Sequence, residues 1–381
     1  MKLTTWNAEW LDSHWGVVSG LYAPGQDLFP EDAPSLAEAQ ARIAAVGRFI
    51  GMLAPDILFL CEAPRGADQM AGFAAAAAPG YDLVMRPAGT DYEIDGRQWM
   101  WFLVRKDIAD LIQPELVPVE TWRAFCAEAS DSIRADGTWK VSAPRLTDFG
   151  DIRDVPVAER RTHRFYREPQ VLRYQWGGAR HEVIGAHLKS KHTGISIPKR
   201  QPGEDLDAYI AASKTVQRFM AEAHEARVKL SSEALVIRAY IDRRFQQEAD
   251  PSIVVLGDLN DGPGKEVMER EYLLHDLISN LQGEVFFARK FLNHALFDQP
   301  DHLRWTAQFR DDLDPERPEH ILLDHILFTQ ALTSGGTSPL VARARSGWVE
   351  HLAFEEAEAL LGRGMLSDHR PVSLRLVPRI G

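Results

Sequence analysis

Only two cysteines, Cys61 and Cys126, occur in the 381 residues, so no disulfide framework holds the chain together and a reducing compartment is expected. No apolar run reaches the roughly 18 residues that a membrane helix needs. Polar Thr4, Thr5, Asn7 and Glu9 follow Lys2 at once, which leaves no secretory core. The reading is a cytoplasmic protein without a membrane span. Positive charge is scarce too: 43 Lys and Arg against 55 Asp and Glu leave −12 at neutral pH. That excludes a broad basic face coating nucleic acid, though not a local basic groove beside an acidic site. No Cys or His cluster has zinc spacing. Gly262-Pro263-Gly264-Lys265 lacks the spacing of a P-loop, and there is no Gly-x-Ser-x-Gly elbow of an α/β hydrolase.

What is present is ordinary globular composition, 45% apolar and 26% charged, in a chain long enough to bury a large core. Ser35 with Glu38 reads as a capping box, and Leu36, Ala39, Ile43, Val46 and Ile50 fall at helical spacing behind it. The helix must stop before Pro55. The apolar run Ile57-Leu58-Phe59-Leu60-Cys61 follows and closes on Glu62, as a strand covered on both faces would. The same grammar recurs later. Ser231 or Ser232 can cap a helix carrying Leu235, Ala239 and Phe245, which leads into Ile253-Val254-Val255-Leu256 and then Gly257-Asp258. Further strands are expected at residues 99–104, 171–176, 182–186, 321–328 and 372–376, and loops at 19–34 and 195–207. Pro114, Pro118, Pro144 and Pro156 break up residues 107–165, which read as an irregular excursion within a single domain spanning residues 1–381. The stretch 283–318 also reads as irregular.

Six places set polar groups against an apolar run: Asn7 and Glu9, Glu62, His187 with Lys189, Asp258 with Asn260, Asp324 with His325, and Asp368 with His369. Each has an ordinary explanation. Asp258-Leu259-Asn260-Asp261-Gly262 uses the residues that turns use, and Asp368-His369 suits a helix cap. Glu62 resists that treatment, because a carboxylate closing a buried strand is costly unless it is paired or metal-bound. Together the six offer carboxylates, amides and imidazoles. That set suits Mg²⁺ or Mn²⁺, which take oxygen ligands and keep waters, and it suits hydrolysis of a phosphate ester.

The ordered set Thr5-Trp6-Asn7-Ala8-Glu9, Cys61-Glu62, His187-Leu188-Lys189-Ser190, Gly257-Asp258-Leu259-Asn260, Leu323-Asp324-His325-Ile326-Leu327 and Ser367-Asp368-His369-Arg370-Pro371 resembles the endonuclease/exonuclease/phosphatase superfamily. The resemblance implies an α/β four-layer sandwich, with two mixed β-sheets packed face to face and helices on the outside. It implies a Mg²⁺ or Mn²⁺ site in which Glu62 is the principal metal ligand, supported by Glu9 and Asp368. Asp258 then orients and deprotonates the attacking water, with Asn260 and Asn7 fixing phosphate and neighbours. His369 contacts the scissile phosphate and is oriented by Asp324, while His187 is the second active-site histidine.

The expected activity is that of a metal-dependent phosphodiesterase, a nuclease acting on nucleic acid. A phosphatase or phosphodiesterase of a small phosphoester is the alternative, and no protein partner is implied. Arg167-Glu168-Pro169 is similar to a deoxyribonuclease I segment whose arginine touches backbone phosphate. Lys189 and Lys191, followed by His192, Lys199 and Arg200, add a cationic stretch suited to the same role; Arg160, Arg161 and Arg164 read as solvated surface. The chain departs from the family near Trp99. Where relatives carry Tyr or Glu as the partner of the second histidine, this sequence offers Gln98, with Arg97, Glu93 and Tyr92 close by.

Overall fold

The computed structural model describes residues 1–28, 31–87, 89–142, 145–146, 152–153, 160–273 and 276–380. The first sheet holds β1 (Lys2–Asn7), β2 (Ile57–Ala63), β3 (Tyr81–Leu83) and β4 (Trp99–Arg105). The second contains β5 (Glu115–Leu116), β6 (Gln170–Trp176), β7 (Ala179–His187), β8 (Ser252–Asp258), β9 (Asn293–His294) and β10 (Asp324–Phe328). The chain then returns to the first sheet through β11 (Leu340–Val349) and β12 (Val372–Pro378). Strand order is β11-β12-β1-β2-β4-β3 in one sheet and β9-β10-β8-β7-β6-β5 in the other. Both are mixed. Each has one parallel pair at its centre, β1 with β2 and β7 with β8.

Alternation along the strands explains the layering. On β8, Val254 and Leu256 join a core with Phe59, Leu172 and Ile326 between the sheets. Ile253 and Val255 point the other way, into a second core with Ile237 and Tyr240. Those two residues belong to the helix Lys214–Gln247, whose Tyr240 stacks on Trp122 at 4.6 Å. On the first sheet the helix Leu36–Leu53 supplies Ile43, Val46 and Phe49, and its Ser35–Glu38 capping box forms as expected. The sheets approach closely at Gly185, where a Cβ would lie 2.2 Å from the Phe59 ring.

The sequence reading needs correction in three places. Ser231 and Ser232 cap nothing. They lie inside one helix that starts after Ser213, and their hydroxyls donate back to Arg227 O and Lys229 O. The segment ahead of them has no Pro or Gly, so nothing stops the helix there, and a serine within a helix bonds backward. The expected strand at 321–328 is divided: His320–Ile321 pairs with Ala307–Gln308, and only Asp324–Phe328 joins the large sheet. Within 107–165, Pro118 sits at the N-cap of the helix Val119–Ala129, and Glu115–Leu116 pairs with β6, so this part belongs to the sandwich. Pro144 and Pro156 lie outside the described residues.

His181 makes the fold acid-sensitive. Its ring is buried, stacks on Tyr174 at 4.9 Å and bonds Ser252 Oγ at 2.8 Å. Burial lowers its pKa to about 4, below the unfolded value of about 6.5. Above pH ~6.5 both states are neutral and the group contributes nothing; as pH falls from there toward 4, the unfolded chain takes the proton and stability is lost. Urea midpoints measured at pH 7.5 and pH 5 should therefore differ less in His181→Gln, by about 2 kcal/mol of linked stability.

Candidate active site

The two parallel pairs finish at one edge of the sandwich, and the polar residues of the sequence arrive there by register. Asn7 aligns with Cys61, beside Glu62, while His187 aligns with Asp258 and Asp258 with Asp324. The Asn7 amide joins the two sheets: its Nδ2 donates to Glu62 Oε1 at 3.1 Å and to Asp258 Oδ2 at 2.9 Å. Its Oδ1 accepts from Glu9 N at 3.0 Å. Glu62 Oε2 accepts from Trp10 N at 3.0 Å, and Asp258 Oδ1 from Asn260 N at 3.0 Å. Glu9, Trp10, Glu62 and Asn260 all have φ between 49° and 55°. This left-handed backbone strains non-glycine residues and is found where a side chain must be aimed.

His369 and Asp324 form a second unit, with Nδ1 2.7 Å from Asp324 Oδ2. Burial opposes charging the ring, but the charge and hydrogen bond of Asp324, helped by Asp258, hold His369 well above its ordinary pKa. The imidazolium is the form that an anionic oxygen would meet. Asp258 is fully enclosed. Burial and the negative charge of Asp324 push its carboxyl up to about 7, against the pull of His369 and Asn7. His187 differs: burial, then the positive charges of Arg167 and His369, keep it far below its usual value, so it is neutral. Its Nε2 lies 3.5 Å from Asp258 Oδ2 and 3.9 Å from Glu62 Oε1.

Nδ1 of His187 has no partner among the described residues. Each candidate near Trp99 is engaged elsewhere. Gln98 accepts from Arg167, Tyr92 from Arg86 N, Glu93 pairs with Arg123, and Arg97 lies over the Trp10 ring.

Glu9 and Asp368 stand at the rim. Asp368 N donates to Glu9 Oε2 at 3.2 Å, and burial together with the Asp368 charge raises the Glu9 carboxyl despite Arg42. The Asp368 charge thus acts on Glu9, but Glu9, Glu62 and Asp368 are not among the described residues whose ligand atoms converge within 4.8 Å of one another. Those that do are Asp258, Asp324 and His369. There His369 and Asp324 already bond each other, although Asp324 Oδ1 is buried without a partner.

Two cations expected on phosphate are turned inward. Arg167 is 5% exposed, and its guanidinium donates to His187 O at 2.9 Å, Leu188 O at 2.7 Å and Gln98 Oε1 at 2.6 Å. Lys191 Nζ sits 3.3, 3.2 and 3.0 Å from Asp261, Glu266 and Glu269. Lys189 is partly buried, donates to Ser190 O, and has its pKa lowered by burial and by Arg167. Arg200 bonds the carbonyls of Leu313 and Glu204.

Residues to which the sequence assigned no role complete the frame. Thr306 Oγ1 accepts from Asp324 N at 3.2 Å, Ser367 Oγ donates to Asn7 O at 2.7 Å, and Trp6 Nε1 donates to His369 O at 3.1 Å. Arg42 gathers the carbonyls of Ala8 and Leu366 with the Glu9 carboxylate.

The chain belongs to the Endonuclease/Exonuclease/phosphatase family, which it matches over residues 4–369. Similar solved structures include TDP2 from Caenorhabditis elegans, at 14% identity and TM-score 0.45, covering 98% of this chain and 73% of that one. D. rerio TDP2 complexed with single strand DNA product is similar at 12% identity and TM-score 0.45, covering 99% and 98%. So is the mannosyl-6-phosphatase Bt3783 of Bacteroides thetaiotaomicron, at 13% identity and TM-score 0.44, covering 99% of each chain. No curated protein matches the chain. No helix among the described residues is long and apolar enough to cross a membrane.

Proposed function

We propose that the protein is a divalent-metal-dependent phosphoric ester hydrolase in which Asp258 takes the proton from the attacking water. The observation that carries this reading is the Asn7 amide, which holds Glu62 and Asp258 within one hydrogen-bonded unit. The water oxygen bonds to phosphorus, its proton passes to Asp258, and the ester P–O bond breaks with its electron pair leaving on the oxygen of the departing alcohol, which then takes up a proton from solvent. Asp258 sits near pKa 7, which suits a general base at neutral pH. His369, kept charged by Asp324, faces the phosphoryl oxygens, while Asn260 and Asn7 fix neighbouring atoms. Glu62, Glu9 and Asp368 would hold Mg²⁺ or Mn²⁺, which when bound neutralises charge on the phosphoryl group.

Nucleic acid was the first substrate expectation. The inward commitment of Arg167 and Lys191 removes two of the cations it relied on and favours a small phosphoester instead. Hydrolysis of bis(nitrophenyl) phosphate that needs Mg²⁺ or Mn²⁺ and stops with EDTA tests the class, and a parallel assay on duplex DNA, single-stranded DNA and RNA tests the substrate. Glu62→Gln should weaken binding of either metal more than about tenfold by calorimetry, with the far-UV spectrum unchanged. Unaltered affinity would move the metal away from Glu62.

A further inference from the structure

A cleft of about 490 Å³ opens beside the proposed site and shares Asn260, Asp368 and His369 with it. It runs outward between the 190–197 loop, Phe219 and residues 307–312. Its floor and walls are partly apolar, with Ile195, Ile197 and Phe309 among the lining residues. Apart from His369 of the site and His192, its basic side chains are paired with carboxylates. Lys191 is enclosed by three carboxylates, and Arg310 is turned onto Glu319 at 2.7 Å. Its acids are not all neutralised. Asp311 is buried and accepts from Val267 N and Leu313 N, whereas Asp312 is half-buried. Arg200 donates its backbone N to Asp312 O, but its guanidinium goes to Leu313 O and Glu204 O, with Asp314 at 3.9 Å, rather than to the Asp312 carboxylate. A second phosphate entering here would meet the carboxylates of Asp311 and Asp312 and would have to draw Arg310 from Glu319, and like charges brought together in a cleft repel.

Resting on the hydrolase reading above, we propose that this cleft receives the organic group of the ester and selects one that is uncharged or cationic, with Asp312 as the residue that rejects further phosphates. The apolar wall offers contact to a carbon face, and the Asp312 carboxylate sets the sign of charge that is tolerated. No hydrogen bond or ion pair among the described residues ties Asp312 to Asp258, Asp324 or His369, so changing it should be read in the ratio of kcat/KM between esters.

The test uses the full chain with Mg²⁺ or Mn²⁺ and a matched pair of probes: the nitrophenyl ester of thymidine phosphate, with and without a second phosphate on the sugar. Nitrophenyl phosphorylcholine and bis(nitrophenyl) phosphate serve as cationic and neutral references. The ester lacking the second phosphate should have a kcat/KM about tenfold higher or more, and the choline ester should also be hydrolysed. Asp312→Lys should shrink the ratio about tenfold and Asp312→Asn by less, and in both the choline ester should lose kcat/KM relative to bis(nitrophenyl) phosphate. Equal kcat/KM for the matched pair, or a preference that survives both substitutions, overturns the charge filter while leaving the hydrolase reading standing. A protein that hydrolyses neither these four diesters nor nitrophenyl phosphate, a monoester, overturns the hydrolase reading, and the filter with it.

Discussion

Asp258→Asn is expected to lower turnover about 10³-fold while leaving the protein at least as stable as the wild type at pH 8. Loss of the base alone accounts for the rate. The stability forecast is a balance. Asp258 accepts from Asn7 Nδ2 and Asn260 N, so an amide must present its NH₂ to one of two donors, which costs about 1 kcal/mol. Against that, the substitution removes a negative charge that lies opposite Asp324 in the register and is pushed up to about 7. The pH dependence has a definite sign. In EDTA, Asp258 titrates near 7 in the fold and near 3.9 unfolded. The fold therefore binds that proton more tightly, and the wild type loses stability from pH ~4 to ~7 relative to the variant. Denaturant midpoints at pH 4.5 and 8, alongside hydrolysis rates with Mn²⁺, check both halves. Full turnover by the variant would transfer the base to another group, and a stability loss of several kcal/mol would make Asp258 a structural residue.

Much of this site was legible because it breaks a local rule. A carboxylate closing a buried strand, as at Glu62 or Asp258, has to be explained, and the explanation leads to the strand ends where open α/β sheets place their chemistry. The parallel registers that align Asn7 with Cys61 and His187 with Asp258 then make the meeting possible. What the sequence could not show is who neutralises whom. Arg167 and Lys191 carry the same formal charge as a phosphate-gripping residue, and only the fold places His187 O against one and Glu269 against the other. Ser231 and Ser232 were misread for a related reason: a capping side chain is recognised by where the helix begins, and no breaker marks that point. Thr306 and Arg42 gave no signal, since their contacts are to backbone atoms and rim carboxylates remote in the chain.

Arg167→Met is expected to destabilise the protein by about 2–4 kcal/mol and to lower kcat more than it raises KM. Three acceptors lose their donor together: the carbonyls of His187 and Leu188 and the amide oxygen of Gln98. Each carbonyl left buried and unpaired costs about 1–3 kcal/mol, and Asn260 Nδ2 can relieve only Leu188 O, to which it already donates at 3.1 Å. The kinetic effect follows from position. Arg167 fixes the end of β7, where His187 faces Asp258 across 3.5 Å, and displacement of a reacting group by about 1 Å can cost about 10²-fold in rate. Arg167→Lys should recover part of the stability, because an ammonium can reach one carbonyl but cannot reproduce the three-way fork. A phosphate-gripping arginine would behave in the opposite way. Its loss would leave the denaturation midpoint in place, raise KM steeply and weaken the dependence of KM on salt. Urea denaturation with steady-state kinetics at two ionic strengths separates the two roles, and a fully stable Arg167→Met protein with only KM altered would return this arginine to the substrate.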